Sequence, residues 1–255
     1  MPVPMMPPTT TIVASKRFSS RFKPMGRGAY LVGGRPIPRM EEKASSPPTV
    51  HFAMALAVSA GGAGERKERP FVVVSGLPGS GKTTLARQLA SSLALPLLDK
   101  DDFLERLFEA KGIGDAAWRR TLSRESDALF QAAAAESNGA ILTSFWRLPG
   151  MSATSGTPTA WLRELSHHLV HVRCLCPVEL AAGRFFARKR HAGHLDPASY
   201  AETLASMRSQ AALGPLDIEP AVNVDTSGGF SVDTLAHQVC VLLAGGRGQV
   251  DGCET

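Results

Sequence analysis

Residues 71–84 read FVVVSGLPGSGKTT, and they carry the clearest structural signal in the chain. The run Phe71–Ser75 is almost wholly apolar, which is typical of a strand buried on both faces. After Gly76 and four further residues comes Gly81-Lys82-Thr83, the spacing G-x-x-x-x-G-K-[ST] of a phosphate-binding loop. Leucines then recur with helical spacing in residues 85–93. Strand, loop and helix in this order predict a site for a nucleoside triphosphate.

Each part of this loop has a physical role. Glycines permit positive φ and let the backbone approach an oxygen-rich ligand, so that successive N–H groups form an anion-binding nest. The amino end of the following helix also favours negative charge. We expect Lys82 to contact the β- and γ-phosphates of ATP, Thr83 to bind Mg²⁺ and Thr84 to bind a further phosphate oxygen. The predicted nucleotide-binding set is Gly76, Leu77, Pro78, Gly79, Ser80, Gly81, Lys82, Thr83 and Thr84.

The positive charge of the chain is unevenly distributed. The net charge is +5, but residues 1–70 hold 11 of the 28 basic and 4 of the 23 acidic side chains, which leaves residues 71–255 with 17 and 19. The region after residue 70 therefore has no general basic face for nucleic acid. No apolar run approaches the roughly 18 residues of a membrane span. The four cysteines lack zinc-ligand spacing and indicate reduced thiols in a cytoplasmic protein.

The chain divides by composition into three parts. Residues 1–70 are rich in Pro, Gly, Ser and Arg and are predicted to be a disordered basic segment. A transit peptide, a secretory signal or a natural start at Met54 are the alternatives for this segment. Residues 71–245 are predicted to form a single ATP-binding domain, and residues 246–255 a flexible tail. Nothing in the sequence indicates an oligomeric state.

Strand and helix patterns alternate along residues 71–245. Strands are predicted at 71–75, 95–98, 140–144, 169–174 and 221–224, and helices after the loop and at 101–111, 116–137, 161–168, 177 to about 190, and 231–243. The pattern predicts an α/β fold, a P-loop three-layer sandwich with a five-stranded parallel sheet and a helical lid. Ligands of such folds bind at the carboxyl ends of the strands.

Acidic side chains follow the second predicted strand, in Asp99-Lys-Asp101-Asp102. Three carboxylates beside a phosphate loop repel ATP, unless one orients an acceptor hydroxyl and another helps to hold Mg²⁺. The alternative is that they cap the following helix. Because the cluster lies at the active edge of the sheet, we favour a functional role, with Asp102 as a substrate contact.

Basic side chains are the other candidates. Arg184 and Arg188 are four residues apart in RFFARKRHAGH (184–194) and would share one face of a helix. That face could close over the triphosphate as a lid, although a solvated basic helix end has the same pattern. Arg147 follows the third predicted strand and is a candidate substrate contact or an ordinary surface side chain.

Four motifs together resemble the small P-loop kinases: GLPGSGKTT at 76–84, DKDDF at 99–103, SFWR at 144–147 and the segment 184–194. This group of AAA-type ATP-binding domains includes polynucleotide 5′-kinase, chloramphenicol phosphotransferase, gluconate kinase and the zeta toxins. The resemblance implies ATP and Mg²⁺ as cofactors and a hydroxyl acceptor. It also implies that Asp101 is the base towards this hydroxyl and that Lys82, Arg184 and Arg188 stabilise the transferred phosphoryl group.

Two positions depart from these relatives. Many P-loop proteins end the third strand with an Asp near Mg²⁺, whereas here Ile141–Ser144 offers only hydroxyls, so Asp99 is expected to join Thr83 at the metal. Polynucleotide kinases commonly place an Arg after the Asp pair, where this chain has Leu104. The favoured function is therefore a small-molecule kinase. A 5′-hydroxyl nucleic-acid kinase and an ATP-binding switch without transfer are the alternatives.

Overall fold

The centre of the molecule is a sheet of five parallel strands in the order β2-β3-β1-β4-β5. The structure is a computed structural model that describes residues 69–197 and 199–245. The strands are β1 (Phe71–Ser75), β2 (Leu97–Asp99), β3 (Ala140–Thr143), β4 (Leu169–Leu175) and β5 (Ala221–Asp225). Parallel neighbours need long crossovers, which the helices provide. The α/β class and the five-stranded parallel sheet are thus confirmed.

Helices cover both faces of the sheet. They are α1 (Lys82–Leu93), α2 (Lys100–Lys111), α3 (Ala116–Glu136), α4 (Ala160–Leu165), α5 (Val178–Ala187), α6 (Tyr200–Ala211) and α7 (Val232–Gly245), with a 3₁₀ turn at Ala192–His194. Leu85 and Leu89 of α1 pack with α7 on one face, and Phe130 of α3 packs with α4 on the other. Strand β1 is consequently buried on both faces, as its apolar run predicts.

The strand order brings the predicted motifs to one edge. Strand β1 lies between β3 and β4, with Val74 opposite Thr143 and Val172. Strand β2 pairs with β3, so that Asp99 lies opposite Thr143. The phosphate loop, the acidic cluster and the segment after β3 all follow the carboxyl ends of adjacent strands. A ligand at this edge can therefore contact all three.

Several predicted boundaries were wrong. Strand β2 begins at Leu97 rather than residue 95, because Pro96 lacks the N–H that a ladder needs. Helix α4 ends at Leu165, and the Ser166 hydroxyl after it donates to the Arg69 carbonyl (2.6 Å), which ties this part of the chain to the segment before β1. Helix α6 was not predicted.

The most consequential difference is the end of α5. The sequence predicted this helix to run to about residue 190, but it stops at Ala187, and Arg188 has extended backbone angles of φ −84° and ψ 144°. Its guanidinium lies 4.9 Å from the centre of the Phe185 ring. The prediction that Arg184 and Arg188 share one helical face is therefore wrong.

The predictions for residues 1–68 and for the tail at 246–255 lie outside the described residues. Within residues 69–197 and 199–245, no helix is long and apolar enough to cross a membrane.

Candidate active site

The phosphate loop is held tightly against neighbouring backbone. Gly76, Gly79 and Gly81 all have positive φ, at 146°, 77° and 90°. A Cβ atom on Gly79 would lie 2.1 Å from the Ala181 carbonyl oxygen of α5. This distance is too short for two non-bonded atoms, so no side chain fits at this position. Only glycine permits both this conformation and this close approach. The segment that the sequence motif identified therefore has the backbone conformation of a phosphate-binding loop.

Helix α1 begins at Lys82, directly after this loop. Gly81 is its N-cap and provides no side-chain acceptor, so the first N–H groups of the helix point to the loop without a cap. Such a helix end attracts anions. The Lys82 ammonium donates to the Leu77 carbonyl (2.8 Å), and burial lowers its pKa to about 8. The negative charges of a triphosphate would reverse this shift.

The predicted nucleotide-binding residues occupy three kinds of position relative to the cleft. Pro78, Gly79 and the run 81–84 line it. The Ser80 side chain is completely buried beneath the loop, and no described group forms a hydrogen bond with its hydroxyl. Gly76 and Leu77 form the entry to the loop from β1 and face the neighbouring groove.

Asp99 links the phosphate loop to the acidic cluster. Its carboxylate accepts from the Thr83 hydroxyl (3.1 Å) and from the Asp101 backbone N–H (3.1 Å). It is the N-cap of α2, so the capping alternative holds for this residue alongside any role at a metal. Burial, and then the charge of Asp101, raise the pKa of Asp99 to about 6.

Asp101 lies in the first turn of α2 and lines the cleft. Burial by itself would raise the pKa of Asp101, but the nearby charges of Arg190, His194 and Lys100 outweigh it and hold this pKa below its usual range. Asp102 is exposed and does not line the cleft, because one residue along a helix turns the side chain by about 100°. The role of Asp102 as a substrate contact stays a prediction, and its position outside the cleft does not add support to it.

Arg190 contacts Asp101, although the sequence had not singled it out. Its guanidinium donates to Asp101 (2.8 Å), to Asp196 (2.6 Å) and lies 3.0 Å from the His194 ring. His194 in turn contacts Glu105 of α2 (2.8 Å). The segment after α5 is thereby tied to the amino half of α2. The basic run at 188–190 was visible in the sequence. However, the assumption that the helix continues to residue 190 favoured Arg188, which lies four residues after Arg184.

The predicted lid arginines have different surroundings. Arg184 donates to the carbonyls of Thr226 and Ser227 (both 2.8 Å) and so ties α5 to the segment after β5. Arg188 has no carboxylate partner within the described residues. Both side chains still line the same cleft as the phosphate loop.

Arg147 lies at the opposite wall. Its guanidinium donates to the carbonyls of Ser155 (2.9 Å) and Gly156 (3.3 Å), which fixes the loop after β3. The Ser144 and Thr157 hydroxyls, 2.6 Å apart, close the same loop from below. Arg147 therefore lines the cleft and also supports its wall. This position is compatible with a substrate contact and also with a purely structural side chain.

The cleft has a volume of ≈ 760 Å³, which is enough for the triphosphate part of a nucleotide together with a second, small molecule. Its walls are the phosphate loop, the amino turn of α2, one face of α3, the loop after β3, and the segment from α5 to α6. In the described part of the chain, no group of three or more His, Cys, Asp or Glu is arranged to hold a metal alone. Mg²⁺ needs no such cage, because it is usually bound through one or two protein oxygens and the substrate phosphates.

Fold and site together define a P-loop nucleotide-binding protein. The chain belongs to the AAA domain family, whose model matches residues 71–213. The resemblance to the small P-loop kinases that the sequence motifs indicated is confirmed at the level of family and fold.

The similar proteins are kinases by description. The chain is 38% identical to a shikimate kinase of Corynebacterium glutamicum over 73 residues, which is 28% of this chain and 43% of that protein. It is 51% identical to a shikimate kinase of Corynebacterium diphtheriae over 39 residues, 15% of this chain and 22% of that protein. The chain thus spans less than half the length of these curated relatives. A crystal structure from Chloroflexus aurantiacus, provisionally assigned as a kinase, is 27% identical with a TM-score of 0.58, covering 68% of this chain and 98% of that one.

Proposed function

We propose that this protein is a kinase that transfers the γ-phosphoryl group of ATP to a hydroxyl group of a small molecule. The observation that carries the proposal is the shared cleft: the phosphate loop with Lys82 and the ionised Asp101 line the same walls. Phosphoryl transfer requires that phosphate and acceptor meet in one place, away from bulk water. The kinases among its relatives support the same conclusion. A protein that consumes ATP in this way is expected in the cytoplasm.

ATP is held by its phosphates in this mechanism. The part of the loop that lines the cleft, with Gly79 and Gly81, presents backbone N–H groups, and the uncapped end of α1 adds its dipole. Lys82 neutralises charge on the β- and γ-phosphates. Arg184 and Arg188 close the cleft from the side of α5 and stabilise charge on the transferred group.

Mg²⁺ fits the oxygens next to the loop. Thr83 supplies a hydroxyl and Asp99 a carboxylate, and these two atoms already lie 3.1 Å apart on the side of the loop that faces the cleft. Hard oxygen donors of this kind suit Mg²⁺. When held there by Thr83 and Asp99, the metal would neutralise charge that develops on the phosphates during transfer.

Asp101 serves the acceptor. The acceptor hydroxyl oxygen forms a bond to the γ-phosphorus, the bond from this phosphorus to the bridging oxygen breaks, and ADP leaves. The hydroxyl proton passes to the Asp101 carboxylate, which Arg190 keeps ionised through a 2.8 Å contact. Arg190 thus positions Asp101 and stabilises its ionised form, but does not contact the reacting atoms itself.

The test is transfer of label from γ-labelled ATP, in the presence of Mg²⁺, to a pooled metabolite extract or to a 5′-hydroxyl oligonucleotide. We expect label in the small-molecule fraction with the wild-type chain, none with Lys82→Ala, and wild-type transfer with Lys111→Ala. Lys111 is a matched control, because it pairs with Glu125 on the surface away from the cleft. Label on the oligonucleotide alone would refute the small-molecule proposal, and so would tight ATP binding without any labelled product.

A further inference from the structure

One face of α3 lines the cleft and is unusually basic. Residues 116, 119, 120, 123, 124 and 127 of this helix face the cleft, a spacing that places them on one side. Three of them are arginines: Arg119, Arg120 and Arg124. None of the three has a carboxylate partner within 4.0 Å among the described residues. These guanidinium groups are not used by the binding of ATP described above.

The single acidic residue of this face is already neutralised. The Asp127 carboxylate lies 3.8 Å from the buried Lys100 ammonium and accepts a hydrogen bond from the Thr157 hydroxyl (2.8 Å). Lys100 also donates to Ser123, one turn earlier on α3 (2.8 Å). Asp127 therefore belongs to the floor of the cleft and does not balance the arginines above it.

Arg119 is the most informative of the three. Its Nε atom is buried and has no hydrogen-bond partner among the described residues. Burial, and then the positive charge of Arg190, lower the pKa of Arg119, so the two guanidinium groups repel each other across the cleft. A buried, unpaired donor beside a like charge costs free energy. Asp101 and Asp196 offset only part of this effect, so an anion bound by Arg119 would supply the missing partner and reduce the cost.

The total charge of the cleft indicates how much negative charge the bound anion carries. Nine Lys and Arg side chains and four Asp side chains line it, a formal excess of five positive charges. ATP with one Mg²⁺ carries a net charge of about −2, which leaves an excess of about three. A carboxylate would offset one of these, whereas a phosphate monoester near pH 7 carries about −1.5 to −2 and offers three acceptor oxygens to the guanidinium groups.

We propose that the acceptor is a small molecule that already carries a phosphate monoester, held by Arg119 with Arg120 or Arg124 while a separate hydroxyl of the same molecule faces Asp101. This inference rests on the proposed kinase function and names its substrate class. The existing phosphate takes no part in bond making or breaking. The new bond forms between the hydroxyl oxygen and the γ-phosphorus, ADP leaves, Asp101 takes the proton, and the product carries two phosphates.

The anion subsite is tested by binding, independently of transfer. The full chain is saturated with Mg²⁺ and the non-hydrolysable β,γ-imido analogue of ATP, which fills the phosphate loop. Inorganic phosphate is then titrated calorimetrically at a pH above its second pKa, and acetate is titrated in parallel. We expect phosphate to bind once per chain and more tightly than acetate.

Three variants locate the subsite. Arg119→Gln is expected to weaken phosphate binding roughly ten- to a hundred-fold, because a hydrogen-bonded charge is lost, and Arg119→Lys is expected to restore part of it. Arg87→Gln is the matched control, since Arg87 is exposed on α1 outside the cleft. Unchanged binding of the ATP analogue shows that each variant is folded.

Three results would overturn the inference. The first is the absence of phosphate binding to the analogue complex, and the second is phosphate binding that Arg119→Gln leaves unchanged. The third is acetate binding as tight as phosphate binding with the same dependence on Arg119, which would indicate a carboxylate acceptor. Because the assay needs no phosphoryl transfer, its failure leaves the kinase proposal standing. Conversely, the label-transfer experiment can fail while this subsite is present.

Discussion

Protonation of His171 should destabilise the protein between pH 7 and pH 5. This side chain is fully buried on β4 and makes two hydrogen bonds. Arg173 donates to its Nδ1 (3.2 Å), and its Nε2 therefore carries the proton and donates to the Ser75 hydroxyl (2.6 Å). A second proton on Nδ1 would face the Arg173 guanidinium. Burial, and then this charge, lower the pKa of His171 to about 4 from 6.5 in an exposed chain.

The direction of the effect follows from which state binds the proton. At pH values between about 4 and 6.5 the unfolded chain takes up a proton at this position and the folded chain does not, so acid favours unfolding. The two pKa values give a loss of about 2 kcal/mol in the free energy of unfolding on going from pH 7 to pH 5. The loss would reach its limit of about 3 kcal/mol below pH 4.

Urea unfolding at pH 7 and pH 5 measures this loss. His171→Gln keeps an amide donor for Ser75 but cannot be protonated, and so it should remove about 2 kcal/mol of the pH dependence. The control His237→Gln changes an exposed histidine on α7 and should leave the pH dependence as it is in the wild type. An equal loss between the two pH values in wild type and His171→Gln would refute the assignment. Since Ser75 directly precedes the phosphate loop, acid should also weaken ATP binding before global unfolding.

Three further predictions concern the site. Asp101→Asn should lower turnover about 10²- to 10⁴-fold in the label-transfer assay while the Kd for ATP stays within about twofold, and unchanged turnover would remove Asp101 from its role. Gly79→Ala should abolish ATP binding in calorimetry, because the new Cβ would lie 2.1 Å from the Ala181 carbonyl oxygen, whereas Gly228→Ala has no atom within 4 Å and should bind normally. Thr83→Ala should raise the Mg²⁺ concentration for half-maximal activity roughly tenfold or more, and an unchanged requirement would exclude Thr83 as a metal ligand.

The sheet and the phosphate loop could be predicted because their signals are local. Strand β1 is apolar along its whole length, and Leu85 and Leu89 mark the buried side of α1 one turn apart. The positive φ of Gly76, Gly79 and Gly81 is a property of single positions, and the spacing of the motif indicates it within a few residues. These signals are local, so short windows of sequence were sufficient, whereas the close approach of the Ala181 carbonyl to Gly79 could not be predicted from them.

Helix α6 was missed although it carries a helix-start signal. Only Thr203 and Met207 of its twelve residues are buried, too few to give a visible apolar stripe. However, the Ser199 side chain accepts from the Glu202 backbone N–H (3.2 Å), and Ser-x-x-Glu is the sequence of a capping box. A search for caps rather than for periodicity would have found it.

The partners of Asp101 could not be predicted for a different reason. Arg190 reaches this carboxylate only because α5 ends at Ala187 and the chain turns through Ala192–His194 back towards α2. That turn is fixed by tertiary contacts, in particular stacking of His191 on the Phe108 ring at 5.2 Å and the contact of His194 with Glu105. A pattern within residues 184–194 contains none of this information.

The missing acid at the end of β3 has a structural counterpart on the neighbouring strand. Asp99 lies opposite Thr143 in the pairing of β2 with β3, so a carboxylate from β2 is present beside the residue where many P-loop proteins place their own. The same Asp99 carboxylate accepts from Thr83 and from the backbone of Asp101. One side chain thus links the expected metal ligand on α1 to the expected base on α2. Asp99→Asn should therefore affect both Mg²⁺ dependence and turnover, whereas Thr83→Ala should affect the metal alone. An Asp99→Asn variant whose turnover recovers fully at high Mg²⁺ would contradict the role of Asp99 in supporting Asp101.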